Sequence, residues 1–451
     1  MTKSLIWKLA AVGLLALLLL IPLTMVRGLV SERQAYRQQA LASIADGTAG
    51  SQLVAGPVWV LPYQQRMTEV TDEKTGASRE VWRNYQVRIL PDKLAVSGTV
   101  RTEPLRRGIY ETRRYTAHLN ISGQFKLPER AGLAESGNYR WGQPYLSVGL
   151  QDVRGIKATP TINWGQEVLA TAPGAQLKAL GNGVHADLPS YDGKADSRAF
   201  KLVMSLEGMD ELNVLPLGRD TEVSLQSDWQ HPSFIGRFLP ESRDTGKAGF
   251  AARWRSSWFA SNLNERFEQC AVGANEADCA NFHATSLGVR LIEPVDVYLQ
   301  SDRAVKYGFL FVFLTFCTFF LTEILKRVSI HPVQYGLVGF SLAIFFLLLL
   351  SFAEQWTFVP AYLAAAGACV LQNSFYASHI LGSRWRGLGF GSLLAGLYGL
   401  LYVLLRSEDH ALLLGSVLLF ALLTVVMVLT RRLDWYALNG GESQSNHAEA
   451  A

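Results

Sequence analysis

Residue types suited to catalysis, outside the apolar stretches of the chain, concentrate in the segment 228–237, DWQHPSFIGR. Asp228, His231 and Ser233 supply a carboxylate, an imidazole and a hydroxyl, which are the groups of acid–base and nucleophilic catalysis. The segment also fits a rigid His-Pro turn between strands, with Trp229 and Phe234 packed into a core. We favour the turn, because the chain has neither a Gly-x-Ser-x-Gly elbow nor a Ser-x-x-Lys motif. No catalytic residue is assigned.

Glu323 is an acid that stands well inside an apolar run. Lys326 and Arg327 follow three and four residues later, so an ion pair at a helix end explains it, and we favour that interpretation. The alternative is a proton- or substrate-linked group that faces the interior of a helix bundle, as in a transporter. Its neighbours would then be Gln334, Asn373 and His379. The sequence shows no broken helix or inverted repeat, which speaks against transport.

The cysteines divide into two pairs. Cys270 and Cys279 lie in the soluble middle of the chain with eight residues between them, and we expect a disulfide there if this region is exported. A metal site made by Cys270, Cys279, His283 and a fourth ligand is the alternative, but this spacing is a poor zinc pattern. Cys317 and Cys369 lie inside apolar runs and are interpreted as core residues. We predict no metal and no cofactor.

Two Arg-Gly-Ile turns, at 107–109 and 154–156, are best explained as a repeated structural solution in which Gly supplies a special backbone angle. Arg107 and Arg154 are also candidates for partner binding. Positive charge concentrates near the first turn, at Arg101, Arg106, Arg107, Arg113 and Arg114. Such a patch suits anionic lipid headgroups, but charge that protects a strand edge is the commoner role. A net charge of +4 without a binding motif excludes nucleic acid as a predicted partner.

The chain that carries these residues has the composition of a membrane protein. The chain has 451 residues, of which 49% are hydrophobic, and its mean hydropathy of +0.13 is high for a soluble protein. Apolar runs of spanning length or close to it occupy residues 9–26, 308–325, 335–352, 358–371, 388–405 and 411–429. We therefore predict six transmembrane helices, one N-terminal and five C-terminal, in contact with the lipid bilayer.

The middle of the chain predicts β structure. Alternating runs lie at 81–89, 94–101, 110–121, 146–150, 200–206, 223–225 and 250–254, separated by Gly, Pro, Asn and Asp clusters. We divide the chain into an anchor (1–26), a helical stalk (27–51), a mostly antiparallel β domain (52–307), a five-span bundle (308–432) and a tail (433–451). If the β domain consists of two units, the Pro- and Gly-rich interval 171–193 is the predicted seam, that is, the boundary between them. The fold class is α+β.

Basic residues predict the orientation. Lys3 and Lys8 precede the first run, and no small-x-small cleavage pattern follows it, so we favour a retained anchor over a cleaved signal peptide. Further basic pairs occur on alternate links, at 326–327, 384–386 and 431–432. By the positive-inside rule both termini are cytoplasmic and residues 27–307 lie outside.

The fifth run carries small residues four apart, at Gly387, Gly391, Ala395 and Gly399. A stripe of this kind lets another helix approach closely. We expect the Ala-rich fourth run to pack against it, with a dimer contact as the alternative.

Several segments together resemble the CreD family of bacterial inner-membrane proteins, which are described as cell-envelope integrity proteins. They are residues 32–33, 56–57 with Pro62, 107–110, 152–156, 227–236, 306–307 and 331–335. The resemblance covers nearly the whole chain. It implies an inner-membrane protein of Gram-negative bacteria, expressed under the CreBC two-component system, with a role in envelope maintenance. It brings no catalytic residues.

Three functions remain open. We favour an envelope stress-response factor, not an enzyme, that binds a periplasmic protein or an anionic lipid through its periplasmic domain. The alternatives are a transporter of an envelope component and a membrane enzyme acting on lipid or peptidoglycan precursor.

Overall fold

The computed structural model describes residues 2–72, 77–134, 138–273, 276–291, 297–326, 330–406 and 411–431. The chain forms two compact units. The β unit is Gln39–Pro294, and the helical unit combines Met1–Gln38 with Val295–Ala451. This arrangement confirms the α+β membrane-protein class.

The described residues form ten α-helices. They are α1 (Thr2–Leu18), α2 (Leu20–Gly47), α3 (Trp258–Ser261), α4 (Leu263–Val272), α5 (Glu276–His283), α6 (Val297–Lys326), α7 (Pro332–Ala353), α8 (Phe358–Ile380), α9 (Arg384–Arg406) and α10 (Ala411–Thr430).

They also form seventeen strands. These are β1 (Gln52–Asp72), β2 (Ala77–Ile89), β3 (Lys93–Arg107), β4 (Tyr110–Leu127), β5 (Tyr139–Trp141), β6 (Tyr145–Leu150), β7 (Thr161–Trp164), β8 (Glu167–Leu169), β9 (Ala172–Pro173), β10 (Gly183–Asp187), β11 (Asp196–Met209), β12 (Glu211–Leu215), β13 (Asp220–Ser227), β14 (Pro232–Gly236), β15 (Ser242–Gly246), β16 (Gly249–Ser257) and β17 (Leu287–Leu291).

Six helices are long and apolar enough to span a bilayer, as predicted. Five are identified by length and hydropathy, at Ala10–Gly47, Val297–Phe320, Pro332–Ala353, Phe358–Ile380 and Arg384–Arg406. The sixth is α10, with 20 residues and no charged side chain.

Two of these helices extend beyond their apolar runs. Helix α2 continues through the predicted stalk to Gly47, and α6 begins at Val297, eleven residues before the predicted span at 308. The backbone N–H and C=O groups of these polar turns are hydrogen-bonded within the helix. The helix can therefore continue beyond the end of its apolar run.

A capping box starts helix α7. The His331 Nδ1 accepts a hydrogen bond from the Val333 N–H (3.3 Å), and the Gln334 Oε1 accepts one from the His331 N–H (3.0 Å). Pro332 occupies the first helical turn, where its missing N–H costs nothing. The segment 331–334 is therefore explained as a helix start.

The β unit contains two sheets. The first follows the order β14-β17-β12-β1-β6-β10-β9, with β2 and β5 also paired to β1. The second follows the order β15-β16-β13-β3-β4-β11-β7-β8. Pairing is mostly antiparallel, as predicted, but β1 pairs with β12 and β3 with β13 in parallel. All seven predicted alternating runs lie inside strands.

One hydrophobic core serves both sheets. It includes Trp59 of the first sheet and Phe125 of the second, whose rings meet edge to face at 5.9 Å. The predicted seam at 171–193 does not divide the unit, because this interval supplies β9 and β10 to the first sheet. Its Gly and Pro residues make turns between short strands, a pattern that also occurs inside a single domain.

Candidate functional site

The structure separates the three groups of the segment 228–237. The Asp228 carboxylate accepts hydrogen bonds from the Thr102 backbone N–H (3.1 Å) and hydroxyl (3.0 Å), so it ties β3 to the end of β13. The His231 carbonyl accepts from the Trp229 indole N–H (3.0 Å). Ser233 is paired with Arg290 in the ladder between β14 and β17. Among the described contacts no hydrogen bond joins Asp228, His231 and Ser233.

Glu323 lies near the end of α6. Its carboxylate accepts a hydrogen bond from the Tyr335 hydroxyl (2.9 Å) and one from the Ile330 N–H (3.5 Å). The Lys326 side chain and Arg327 lie outside the described residues, so the predicted ion pair stays a prediction.

The other side chains proposed around Glu323 have partners of their own. Gln334 belongs to the α7 cap, Asn373 donates to the Ser341 hydroxyl (3.0 Å), and His379 lies 3.0 Å from the Phe375 carbonyl. These contacts organise α7 and α8.

Cys270 and Cys279 are bonded to each other, with their Cα atoms 4.5 Å apart. The bond joins α4 to α5, and Cys270 is fully buried. Sulfurs paired in this way are not available as thiolate ligands. His283 lies with its Nε2 3.3 Å from the Ala179 carbonyl.

Arg154 connects the sheet to the end of α2. It donates to the Asp46 carbonyl in the last turn of that helix (2.6 Å) and forms a bidentate pair with Asp152 (2.6 and 2.9 Å). The Arg154 hydrogen bond holds the pKa of Asp152 well below its usual range, at about 2. A basic group suits a helix C-terminus, where carbonyl groups are unpaired.

Like Arg154, Arg107 contacts another residue of the chain, and so do most of its basic neighbours. Four of the five arginines contact other residues: Glu111 for Arg106, Ser43 for Arg107, the Trp229 ring for Arg113 and Glu103 for Arg114. Two of these arginines, Arg106 and Arg114, are therefore paired with carboxylates, and Arg107 and Arg113 are held by neutral groups.

Among the residues that the structure describes, two of the four positions of the predicted small-residue stripe make close contacts. A Cβ on Gly387 would lie 2.5 Å from the Ser378 Cβ, and one on Gly391 would meet Ser374. Ala395 and Gly399 are exposed, and a Cβ on Gly399 would have nothing within 4 Å.

Residues spaced four apart do not all face the same neighbouring helix, because four residues turn a helix by more than one full turn. Each step of four therefore rotates the stripe by about 40° around the axis. Six of the buried residues of α9 alternate steps of four and three, at Gly387, Gly391, Leu394, Tyr398, Leu401 and Leu405, and the other two, Phe390 and Leu404, lie next to them. Their partners on α8 include Ser374 and Ser378, beyond the Ala-rich part that we expected.

The sequence analysis missed an aromatic band on the β1–β2 hairpin. Tyr63 lies directly opposite Tyr85 on one side and Trp141 on the other. Its ring stacks on Tyr85 at 5.6 Å and meets Tyr139 edge to face at 5.6 Å. Trp141 in turn contacts Tyr191 at 5.0 Å. We call these five residues the aromatic band.

The band combines apolar rings with polar tips. Tyr85 is 37% exposed, and its hydroxyl lies 3.2 Å from the Met67 sulfur. Burial and the neighbouring Tyr139 and Tyr85 raise the pKa of Tyr63 above its usual range, so its hydroxyl is neutral and can donate a hydrogen bond. Rings of this kind are favoured at binding surfaces, because they supply large contact area at low entropy cost.

The opposite face of the same hairpin is polar. Gln64 donates to Asn84 (3.0 Å), and the Arg140 guanidinium lies 4.2 Å from the centre of the Trp82 ring. An open groove of about 870 Å³ is lined by Gln64, Asn84 and Arg140 together with Tyr63, Tyr85 and Trp141 of the aromatic band, and Val272 of α4 borders it. The groove therefore brings aromatic and polar side chains together.

The missed residues carry a weak signal. Tyr63, Tyr85 and Tyr139 are each flanked by Gln, Asn or Arg inside a β-rich region, which is typical of exposed aromatic residues. Their convergence depends on strand register, which sequence alone does not give.

Comparison with known proteins identifies the family. The profile of the family described as "Inner membrane protein CreD" matches residues 4–436. The curated Inner membrane protein CreD of Escherichia coli (strain K12) is 36% identical over 440 residues, covering 97% of this chain and 96% of the relative.

Solved structures give little more. An M1 zinc metallopeptidase of Deinococcus radiodurans matches with 10% identity and a TM-score of 0.21, covering 37% of this chain and 39% of that chain. A second structure of that enzyme matches with 10% identity and a TM-score of 0.18, covering 37% of this chain and 38% of that chain. Scores this low support no argument about fold or function. The full-length sequence matches are decisive, and the chain belongs to the CreD family of inner membrane proteins.

Proposed function

We propose that this protein maintains the cell envelope by binding an envelope component outside the membrane through its β unit. The observation that carries the proposal is the aromatic band, a set of contacting rings of which Tyr85 is exposed and the other four are half-buried. Control by a CreBC-type two-component system belongs to the same proposal.

The distribution of basic residues supports a periplasmic β unit. Lys3 and Lys8 precede the first span, and the basic pairs at 384–386 and 431–432 fall on links that a six-span topology assigns to the cytoplasm. The bond between Cys270 and Cys279 agrees with this orientation, because disulfides persist in the oxidising periplasm.

The hairpin is a preorganised binding surface. β1 pairs with β2 on one side and with β5 on the other, so Tyr63 is held at the centre of three strands. A rigid array of rings loses little conformational freedom when a ligand binds.

The structure favours this surface over an anionic-lipid site at the arginines. Arg106 and Arg114 are already paired with carboxylates, and a phosphate group would compete with those carboxylates for the same guanidinium groups. Catalysis receives no support either, since no hydrogen bond among the described contacts joins Asp228, His231 and Ser233.

Photo-crosslinking in living cells tests the proposal. Benzoylphenylalanine in place of Tyr85 should yield one defined adduct, and Trp141→Ala should reduce that adduct severalfold. The matched control replaces Val203, which is 46% exposed on β11 of the other sheet. Absence of an adduct at Tyr85, or the same adduct from both positions, would overturn the proposal.

A further inference from the structure

The open groove on the β1–β2 hairpin is lined by side chains that both donate and accept hydrogen bonds. Gln64 of β1 and Asn84 and Gln86 of β2 are exposed amides in its lining. Gln64 lies opposite Asn84 in the ladder, and Gln86 lies opposite Pro62. Residues two apart on a strand point to the same face of a sheet. The three amides therefore form one continuous polar surface that solvent reaches.

Two of these amides are held in a fixed orientation and keep polar groups for a ligand. The Gln64 Nε2 donates a hydrogen bond to the Asn84 Oδ1 (3.0 Å). This bond uses one N–H of Gln64 and one lone pair of Asn84. Among the described contacts, the Gln64 carbonyl oxygen and the Asn84 amide N–H groups have no other partner. A ligand in the groove therefore meets an acceptor and donors side by side.

Positive charge in the groove comes from two arginines. Arg88 is paired with Glu268 (2.7 Å). The exposed Arg140 guanidinium lies 4.2 Å from the centre of the Trp82 ring. No Asp or Glu is among the residues of the described chain that line the groove. The lining thus offers hydrogen-bond donors to hydroxyl groups and disfavours a cationic ligand.

Aromatic rings that a ligand can reach adjoin the amides. Tyr85 lines the groove and is 37% exposed. Trp82 is 38% exposed and lies two residues before Asn84, on the same face of β2. Aromatic rings of this kind combine an apolar surface with a polar tip. The groove therefore accepts a ligand that carries both C–H and hydroxyl groups.

The smaller cavity lined by Trp59, Trp164 and the segment 188–198 lacks such access. Its volume is about 380 Å³. Trp59 and Trp164 are only 4% and 5% exposed, so their rings belong to the core and do not present a surface to a ligand. The groove on the hairpin is the better site, because its amides and aromatic rings are exposed.

The backbone at the centre of the groove is already hydrogen-bonded. The strand β1 pairs there with β2 on one side and with β5 on the other, and the Gly142 N–H donates to the Pro62 carbonyl (2.8 Å). A peptide that binds as an added strand needs a free strand edge. Added at the outer edge of β2, it would lie about 14 Å from β5, three strand spacings away. Recognition that uses both Gln64 and Arg140 therefore has to come from side chains.

We propose that this groove binds a saccharide chain of the envelope component. Sugar hydroxyls donate and accept, which matches the three amides and the Arg140 guanidinium, and the C–H faces of sugar rings match the exposed Tyr85 and Trp82. The volume of about 870 Å³ lies in the range of small-molecule sites, and the open ends admit a longer chain. This inference rests on the proposed function, because it names the ligand class of the same surface.

Other ligand classes fit the groove less well. A phosphate group is bound best by several cations or by a helix N-terminus, whereas Arg88 is already paired and Arg140 lies on the Trp82 ring. An acyl chain would have to cover exposed amides without giving them hydrogen bonds, which costs free energy.

Binding can be measured on the full chain in lipid nanodiscs, which avoids detergents with sugar headgroups. The probes are chitotriose and maltotriose, with inorganic phosphate and trialanine as non-sugar probes. We expect at least one of the trisaccharides to bind saturably, as measured by saturation-transfer NMR and isothermal titration calorimetry. Failure of both trisaccharides to bind, or binding of phosphate or trialanine in their place, would overturn the inference.

Two variants place the binding site. Asn84→Ala and Gln86→Ala each remove one exposed amide of the groove, and each should weaken trisaccharide binding about two- to tenfold through the loss of one hydrogen bond. The matched control is Asn120→Ala, at an exposed asparagine of β4 in the other sheet that does not line the groove. All three variants should unfold at the temperature of the wild-type protein, because the side chains are exposed.

The pattern of affinities decides the outcome. Weaker binding by both groove variants with an unchanged Asn120→Ala supports the site. Unchanged binding by both groove variants, or an equal loss in Asn120→Ala, would place the sugar elsewhere and overturn the inference.

The two proposals fail separately. An adduct at Tyr85 in cells without binding of either trisaccharide would overturn the saccharide inference and leave the proposed function standing. Absence of the adduct would overturn the proposed function itself.

Discussion

Asp228, a catalytic candidate in the sequence, and other polar residues act as hydrogen-bonding supports. Asp228 ties two strands together, His331 caps a helix, and Gln52 bridges the carbonyl groups of Asp152 and Glu207 (3.0 and 2.9 Å). Polar side chains can bond either to the backbone or to a substrate, and residue type alone does not distinguish these roles.

The pair of Asp152 and Arg154 gives a pH-dependent prediction. The native pKa of Asp152 is about 2, below its ordinary value of 3.8, so its charged form stabilises the fold at neutral pH. This contribution is present above pH 3.8 and is lost as the pH falls through about 2. Asp152→Asn should therefore lower the unfolding temperature at pH 7 and at pH 5, and the difference from wild type should shrink at pH 3 and below.

Thermal unfolding of the purified full chain at these pH values checks this prediction. Asp244→Asn, at an exposed position in β15, is the control and should change little. A difference between Asp152→Asn and wild type that is the same at pH 7 and pH 3 would contradict the assigned role of the carboxylate.

At the scale of elements, periodicity determines which residues a helix buries. Gly391 is in close contact with Ser374, whereas Gly399 on the same helix has open space around it. A four-residue repeat drifts around a helix, while alternating steps of four and three keep one face toward a neighbour. Helix α9 follows the second pattern.

Gly391→Val should therefore destabilise the helical unit, by about 1–3 kcal/mol, because its side chain overlaps Ser374. Gly399→Val is the matched control in the same helix and should be tolerated. The fraction of monodisperse protein that remains after heating, measured by fluorescence-detected size exclusion, compares the two variants. If Gly399→Val costs as much as Gly391→Val, this face packs against something outside the chain, and the dimer interpretation returns.

At the scale of the whole molecule, the chain is a membrane protein of the CreD family with a β unit inserted between its first span and the remaining five. The insertion shares one core across two sheets. Its two ends are helical, in α2 and α6.

The proposed orientation predicts which sites are accessible to reagents. A cysteine at Ser242, exposed in β15, should react fully with a membrane-impermeant maleimide in cells with a permeabilised outer membrane. A cysteine at Ser443 in the tail should react only after the inner membrane is disrupted. Labelling in the reverse order would place the β unit in the cytoplasm and remove the basis of the proposed function.

The sequence by itself determined the six spans, the β-rich insertion and the family. Hydropathy and strand alternation are properties of consecutive residues, so they can be recognised without knowing which elements meet. The family could be recognised for the same reason, since its motifs are short local segments such as 331–335.

Only the tertiary structure decided which residues form a surface. Tyr63, Tyr85, Trp141 and Tyr191 come from separate parts of the chain, and strand register together with a fixed loop brings their rings together. The cavity lined by Trp59, Trp164 and the segment 188–198 likewise depends on contacts between distant parts of the chain. Contacts between distant residues depend on pairing order and register, and a shift of one residue would turn every side chain to the other face.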